Sequence, residues 1–239
     1  MVWVLTGFMG CGKTSVGSAA IRLSGKAASG VIPVFAKRKF SQKSSGPLRF
    51  IDLDEEIVRR CGRSIPEIFN SDGEAGFRAI ERQTLANLLQ ATGVPPEGRN
   101  TRGSIAGGPS RRDGGVSEAN SRRGNDQQPE PLLISLGGGT LMDEGCRELV
   151  KEHCRCIYLH ASVKTLAGNL HKQEAAVGRP LLAGTDPAAP ADASDSIESR
   201  IKAMMAVRGP VYESAADTII DTDGLSIEEI ATKVLETIL

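Results

Sequence analysis

The chain has 239 residues, of which 40% are hydrophobic, and its 29 basic and 29 acidic side chains cancel to a formal net charge of zero. This length fits one α/β domain with insertions better than two equal domains. The balanced charge creates no global field toward nucleic acid or a membrane surface, so we expect neither as a partner. No apolar run approaches the roughly 18 residues that span a bilayer. We expect the chain to act as a monomer.

The cysteine pattern and the N-terminus bear on the compartment. Five cysteines at irregular spacing argue against a disulfide framework and for a reducing environment. Cys154 and Cys156 lie two apart in a predicted strand without a second cysteine pair, so buried thiols are favoured over a structural zinc site. Met1 leads directly into the first predicted strand, without a signal or transit sequence. We therefore expect a cytoplasmic protein, or a plastid protein whose leader has been removed.

The first elements in chain order are a strand, a glycine-rich loop and a helix. An apolar run at 2–5 precedes Gly-Phe-Met-Gly-Cys-Gly-Lys-Thr at 7–14, and the following residues can continue as a helix. This context indicates a P-loop, whose glycines let backbone N–H groups converge on a phosphate at the positive end of a helix. Lys13 would reach the β- and γ-phosphates, and the Thr14 hydroxyl would contact Mg²⁺. The pattern predicts binding of a nucleoside triphosphate.

The second predicted strand, at 49–53, runs into an Asp-x-Asp pair. Asp52 and Asp54 would stand at the carboxyl edge of a parallel sheet beside the P-loop. We expect the two side chains to point to opposite sides of the strand, one toward the Mg²⁺ shell and the other toward an acceptor hydroxyl. The structural alternative is that Asp54 caps the helix that follows it.

Helices are predicted next at 64–70 and 73–91. Arg78 and Glu81 lie three residues apart on one face of the second of these, so Glu81 can hold the guanidinium in place. A guanidinium makes a bidentate fit to a substrate carboxylate. Phe77, which precedes the arginine, is expected to pack rather than to stack on a ligand ring.

The remaining elements continue the alternation of short apolar strands with helices. This alternation predicts a parallel sheet with helices on both faces. Three glycines, 137–139, follow the third strand and would let a small ligand approach the main chain. Ser226 and Glu229 form a capping box for the last helix. The other predicted strands are 132–136, 156–160 and 218–221, and the other predicted helices are 13–23, 54–61, 142–152, 162–172, 196–207 and 226–238.

Three stretches interrupt this alternation, at about 24–47, 93–131 and 183–195. They are rich in small and polar residues, so they cannot bury enough apolar surface to offset the entropy of ordering. We interpret all three as loop insertions, the middle one largely disordered. Its arginine pairs, at 111–112 and 122–123, could touch RNA or an acidic partner. Interspersed acidic residues favour a solvated linker instead.

Together these motifs resemble the shikimate kinase family, and the resemblance runs from residue 2 to residue 238. It implies a single domain over 1–239 with the P-loop nucleoside-monophosphate-kinase-like fold, an α/β fold with a five-stranded parallel sheet of order 2-3-1-4-5. It also implies a lid and a substrate subdomain after the second strand. The motifs that carry the resemblance are the P-loop at 7–14, Asp-x-Asp at 52–54, Gly-Glu-x-x-Phe-Arg-x-x-Glu at 73–81, Gly-Gly-Gly at 137–139, Arg-Pro-Leu-Leu at 179–182 and Arg-x-Pro-x-Tyr at 208–212.

The resemblance implies an ATP-dependent kinase that phosphorylates the 3-hydroxyl of shikimate, a step of aromatic amino acid biosynthesis. It implies that Asp54 accepts a hydrogen bond from that hydroxyl, and that Arg179 moves from the lid onto the transferring phosphoryl group beside Lys13. Thr14 would bind Mg²⁺, and Asp52 would reach the ion through water. The implied shikimate-binding residues also include Arg78, Gly138, Gly139 and Arg208. The implied ATP-binding residues are Gly10, Cys11, Gly12, Lys13, Thr14, Ser15 and Arg179.

Two positions depart from the family's pattern or add to it. Where the family usually carries an arginine that packs on adenine, this chain reads Asn-Leu-His-Lys at 169–172. Lys172 is the candidate substitute, although a lysine cannot stack as a planar guanidinium does. Cys11 stands near a helix N-terminus, where a thiol pKa tends to fall, so sensitivity to mild peroxide is a hypothesis.

Two other hypotheses about function are compatible with the sequence. The first is another small-molecule kinase of the same fold, such as a gluconate kinase. The second is a non-catalytic, kinase-like binding protein whose insertions serve a partner. Loss of Lys13, Asp52, Asp54 or Arg179 would favour the second hypothesis, and the sequence contains all four.

Overall fold

Short strands alternate with helices throughout the part of the chain that the structure describes. The computed structural model describes residues 1–28, 48–93, 130–177 and 196–239. The strands are β1 (Val2–Thr6), β2 (Arg49–Asp52), β3 (Leu132–Ser135), β4 (Arg155–His160) and β5 (Thr218–Asp221). The α-helices are α1 (Lys13–Ala28), α2 (Leu53–Cys61), α3 (Ile65–Ala91), α4 (Glu144–His153), α5 (Val163–Val177), α6 (Ile197–Ala215) and α7 (Ile227–Ile238), and a 3₁₀ turn covers Thr140–Met142.

The five strands form one sheet in the order β2-β3-β1-β4-β5, and each neighbouring pair is parallel. This confirms the predicted fold class. All five residues of β1 are buried, as are all four of β3, so both faces of the sheet are covered. Such strands read as continuous apolar runs because neither face meets water.

The strand order places two loops at one edge of the sheet. β1 pairs with β3 on one side and with β4 on the other, so the chain changes direction of winding at β1. The loops after β1 and β3 therefore leave the carboxyl ends of adjacent strands. Ligands of open α/β sheets bind at such a switch point. These two loops are the P-loop at 7–14 and the glycine-rich loop at 137–139.

The segment after β2 forms a bent helical unit. The two helices predicted at 64–70 and 73–91 appear as α3, which has a kink at Gly73, where φ is 69° and ψ is −176°. Ser64 and Glu67 form a capping box at its start. The Phe69 and Phe77 rings stack across the kink with centroids 4.5 Å apart, so Phe77 packs as predicted.

Three predicted helix ends are wrong. The sequence predicts that α6 ends at residue 207. The helix instead continues through Pro210 to Ala215. The fully buried Tyr212 explains this, since its tertiary packing stabilises the additional turns. Helix α1 reaches Ala28 and so includes the first residues of the predicted insertion at 24–47, and α5 ends at Val177 rather than at residue 172. Residues 29–47, 94–129 and 178–195 lie outside the described residues. These ranges contain the remainder of the first predicted insertion, most of the second and all of the third.

None of the five cysteines, all of which lie within the described ranges, forms a disulfide, and every one except Cys61 is buried. This agrees with the prediction that they form no disulfide framework. None of the helices in the described ranges combines the length and apolarity needed to cross a membrane.

Two glycines of α1 are expected to respond oppositely to alanine. A Cβ at Gly17 would overlap the ring of Phe50 on β2, whereas a Cβ at Gly25 meets no described atom within 4 Å. Gly17→Ala should lower the free energy of unfolding by about 1–3 kcal/mol through overpacking. Gly25→Ala should raise it by roughly 0.5–1 kcal/mol, because alanine favours the helix. Urea unfolding of both variants measures this; equal effects would contradict the packing of α1 on β2.

Candidate active site

The P-loop joins β1 to α1 and folds around the Lys13 side chain. Gly10 and Gly12 adopt φ values of 80° and 91°, which only glycine reaches without strain. The buried Lys13 ammonium donates to the carbonyl oxygens of Gly7 at 2.8 Å and Phe8 at 3.1 Å. The cation is therefore held at the loop, where its charge adds to that of the helix N-terminus.

Helix α5 contacts the P-loop at Gly10. Asn169 Nδ2 donates to the Gly10 carbonyl oxygen at 2.9 Å. Leu170 is buried, and a Cβ at Gly10 would lie 3.1 Å from its Cγ. From the sequence, this segment was predicted only to lie near adenine. The contact of Asn169 with Gly10 was missed, because no local pattern links two residues that are 159 positions apart. Lys172 is exposed, and its contact with adenine stays a prediction.

Asp52 connects the P-loop to helix α2. Its Oδ2 accepts a hydrogen bond from Thr14 Oγ1 at 2.6 Å. Its Oδ1 accepts from the backbone N–H groups of Asp54 at 3.0 Å and Glu55 at 3.3 Å, and so caps α2. The alternative that Asp54 caps the helix is therefore wrong. The strand ends one residue earlier than predicted, which places Asp54 in the first turn of α2.

The end of β2 at Asp52 also shows that the predicted divergence of Asp52 and Asp54 within one strand is wrong. Residues two apart in a strand share a face, so Asp52 and Asp54 would not have diverged in a continuing strand. They take different environments because Asp52 is the last strand residue and Asp54 is helical. The change from strand to helix is what separates their roles.

Asp54 is a half-buried carboxylate with charged neighbours of both signs. Burial, then the nearby carboxylates of Asp52 and Glu81, raises its pKa from 3.8 to about 6, while Lys13 and Arg78 oppose the rise. A Cβ at Gly137 would lie 3.0 Å from Asp54 Oδ1, so the glycine-rich loop passes directly against this carboxylate. Above pH 6 the group is mainly ionised and can accept a hydrogen bond from a hydroxyl.

Arg78 is held as predicted. Its Nη1 donates to Glu81 Oε2 at 2.8 Å, and Glu81 is only 1% exposed. The other Glu81 oxygen accepts from Thr140 Oγ1 at 2.5 Å, a contact that sequence reasoning missed. A Cβ at Gly139 would lie 2.5 Å from Arg78 Nη2, so only glycine lets the guanidinium approach the loop.

Arg208 approaches the same loop through Tyr212. The Arg208 side chain is buried, and its guanidinium lies 5.8 Å from the centroid of the Phe8 ring and near enough to the Tyr212 hydroxyl to oppose the rise in the pKa of that group. That hydroxyl donates to the carbonyl oxygen of Gly138. The family motif at 208–212 contained Tyr212, but no role for the tyrosine followed from the sequence.

The remaining predicted residues have simpler positions. Ser15 is exposed in the first turn of α1. Cys11 is buried in the P-loop, with its Sγ 3.8 Å from Lys13 Nζ, so access for an oxidant is restricted, and its redox sensitivity stays a prediction. Arg179 lies outside the described residues.

The site thus assembles two halves along one sheet edge. On the P-loop side are Lys13, Thr14 and Asp52. On the side of the glycine-rich loop are Asp54, Arg78 and Arg208, of which Asp54 lies against Gly137 and Arg78 against Gly139. This arrangement provides positive charge for phosphates, an oxygen pair for a cation, a carboxylate for a hydroxyl and two guanidinium groups for an acid.

Comparison with known proteins agrees with this geometry. The family model described as shikimate kinase matches residues 40–94 and 125–239, more than half of the chain. A shikimate kinase from Salinibacter ruber is 30% identical over 234 residues, covering 98% of this chain and 82% of that protein. One from Chlorobaculum tepidum is 31% identical over 235 residues, covering 96% and 88%.

Solved structures share the fold. A shikimate kinase from Acinetobacter baumannii in complex with shikimate aligns with a TM-score of 0.62 at 23% identity, covering 99% of this chain and 92% of that one. A shikimate kinase from Bacteroides thetaiotaomicron aligns with a TM-score of 0.60 at 22% identity, covering 99% and 97%. With the matched sequence model and the near full-length relatives, the chain belongs to the shikimate kinase family of ATP-dependent kinases.

Proposed function

We propose that this protein transfers the terminal phosphoryl group of ATP to the 3-hydroxyl of shikimate, with Mg²⁺ as its cofactor. The observation that carries the proposal is the convergence at the glycine-rich loop. Asp54 lies against Gly137, the Tyr212 hydroxyl beside Arg208 donates to the Gly138 carbonyl oxygen, and Arg78 lies against Gly139. A hydroxy acid bound there would meet a hydrogen-bond acceptor for its hydroxyl and two cations for its carboxylate.

The nucleotide half uses groups that the fold already holds in position. Lys13 would exchange its hydrogen bonds with the Gly7 and Phe8 carbonyls for bonds to phosphate oxygens. Thr14 and Asp52 offer two hard oxygen donors in contact with each other, which fits an ion that takes few protein ligands and completes its shell with phosphates and water. When bound, Mg²⁺ would neutralise charge on the phosphates.

The acceptor half orients the attacking hydroxyl. Phosphoryl transfer depends on in-line positioning and on positive charge around the equatorial oxygens, with little need for a strong base. Asp54, with a pKa of about 6, accepts the hydrogen bond of the hydroxyl and takes up its proton as the new bond forms. We further propose that Arg179 supplies charge on the phosphoryl group from the lid segment.

The experiment that tests this function measures ADP release from MgATP with shikimate, quinate and gluconate offered separately. We expect turnover with shikimate only, because the two arginines and Asp54 together select a hydroxy acid of one shape. Turnover with gluconate instead of shikimate would leave the assigned fold and nucleotide chemistry unchanged and would show that the substrate is a different acid. Intact ATP binding without turnover of any acid would support a non-catalytic binding protein and overturn the proposal.

A further inference from the structure

We propose that Tyr212 is a positioning residue of the acid-binding site: its hydroxyl connects Arg208 to the Gly138 carbonyl and thereby sets the affinity for the substrate carboxylate. The inference deepens the proposed function and rests on it, since the acid is taken to be shikimate. Tyr212 itself would not touch the substrate. It would act through Arg208 and the glycine-rich loop.

The first support is the double use of one hydroxyl. Tyr212 is fully buried, and its hydroxyl donates to the Gly138 carbonyl oxygen. The same oxygen lies close to the guanidinium of Arg208, which stands four residues earlier on the same face of α6 and opposes the rise in the pKa of Tyr212. A tyrosine hydroxyl has one donor and can also accept, so it can serve both partners at once.

The second support is that both Gly138 and Arg208 contact the P-loop. A Cβ at Gly138 would lie 3.2 Å from the backbone nitrogen of Met9, so this glycine rests on the P-loop. Arg208 also lies over the ring of Phe8 in the same loop. The contacts from α6 through Tyr212 to Gly138 therefore end beside the phosphate-binding backbone. They fix the distance between the Arg208 guanidinium, which would bind the substrate carboxylate, and the glycine-rich loop.

The third support concerns orientation. A guanidinium presents its five N–H donors in one plane, so the contact with Tyr212 restricts the plane in which Arg208 would meet a carboxylate. Burial raises the pKa of Tyr212, which keeps its hydroxyl protonated and able to donate to Gly138 across the range in which the protein is folded. The connection therefore persists without a pH-dependent break.

A neighbouring tyrosine supplies the matched control. Tyr158 on β4 is 1% exposed, and its ring centroid lies 5.3 Å from that of Tyr212. Its hydroxyl has no hydrogen-bond partner among the described residues. Tyr158→Phe and Tyr212→Phe thus each remove a buried tyrosine hydroxyl, and only the second removes the hydrogen bond to Gly138 and the contact with Arg208.

The test compares steady-state kinetics of the two variants. For Tyr212→Phe we expect KM for shikimate to rise about five- to twentyfold, from the loss of the buried hydrogen bond to Gly138 and of the contact that orients Arg208. At saturating shikimate kcat should stay within about twofold of the wild type, and KM for ATP should be unchanged. Recovery of kcat at saturation also shows that the variant is folded. Tyr158→Phe should leave all three constants within about twofold.

A double variant decides whether Tyr212 acts through Arg208. If it does, adding Tyr212→Phe to Arg208→Lys should raise KM for shikimate by less than about twofold beyond Arg208→Lys alone. Full additivity, an equal fall of kcat in both tyrosine variants, or an unchanged KM in Tyr212→Phe would overturn the inference. If the wild type phosphorylates a different acid, the proposed function fails, and the same comparison with that acid still decides the role of Tyr212.

Discussion

Replacing Asp54 with asparagine is expected to lower kcat with shikimate by about 10²–10⁴-fold and, at the same time, to stabilise the fold. Activity falls because the amide cannot take up the proton of the attacking hydroxyl. Among the described residues, Asp54 and Glu81 have the carboxylates nearest to a Cβ at Gly137, and Glu81 already binds Arg78 and Thr140.

The gain in stability follows from the raised pKa of Asp54. The pKa is 3.8 when unperturbed and about 6 in the folded protein, so the folded state binds the proton more tightly. The stabilisation from this proton is fully present below pH 3.8 and is lost as the pH rises through 6. At pH 7.5 the wild type therefore carries the cost of a buried charge, on the order of 1–3 kcal/mol, which asparagine removes.

Urea unfolding at pH 4 and pH 7.5, together with kcat, measures both effects. The variant should be more stable than the wild type at pH 7.5, and the difference should shrink toward pH 4. Asp223→Asn is the control of opposite sign, because hydrogen bonds from Thr165 and then Ser162 lower the pKa of Asp223, and its ionised form stabilises the fold. An Asp54→Asn variant that is less stable at pH 7.5, or that keeps more than a tenth of the activity, would contradict the assignment.

Replacing Lys13 with methionine is expected to lower kcat by about 10²–10³-fold, the typical cost of removing one preorganised charge from a transition state. Lys13 is the buried cation of the P-loop, and its ammonium is held by two loop carbonyls on the phosphate side of β1. Methionine keeps the length of the side chain and removes the charge. Single-turnover kinetics would separate the chemical step from release of ADP, and calorimetric titration would show weaker binding of ADP.

Lys172→Met is the matched control for this variant. Lys172 is exposed on α5 and stands where adenine packing is predicted. Loss of an exposed cation–π contact should raise KM for ATP about two- to fivefold, with kcat unchanged. If Lys13→Met lowers kcat by less than tenfold, or if both variants change the same constant, the role assigned to Lys13 is wrong.

Local patterns explain most of what could be predicted from the sequence. The P-loop, the capping box of Ser226 and Glu229, and the Arg78–Glu81 pair all join residues within one or two helical turns, and the structure contains each of them. Such features follow from backbone geometry and side-chain reach, so they do not depend on how the chain is folded elsewhere. The sheet order came from the family resemblance.

The predictions that failed depended on where one element stops and the next begins. Asp52 rather than Asp54 caps α2, because β2 ends one residue earlier than its apolar run suggests. Helix α6 passes Pro210, because burial of Tyr212 outweighs the loss of one backbone hydrogen bond. Propensity is a weak guide at such boundaries, where tertiary packing contributes more free energy than a single residue's preference.

The sequence by itself therefore determined the class of chemistry, the strands and helices, and the residues that carry charge. Only the tertiary structure decided which of them meet. Asn169 reaches Gly10 across 159 residues, and Tyr212 reaches Gly138 across 74. The raised pKa of Asp54 likewise exists only where burial and neighbouring carboxylates coincide. The reason is physical: these effects depend on distance and solvent exclusion, which are set when parallel strands bring separate loops to one edge of the sheet.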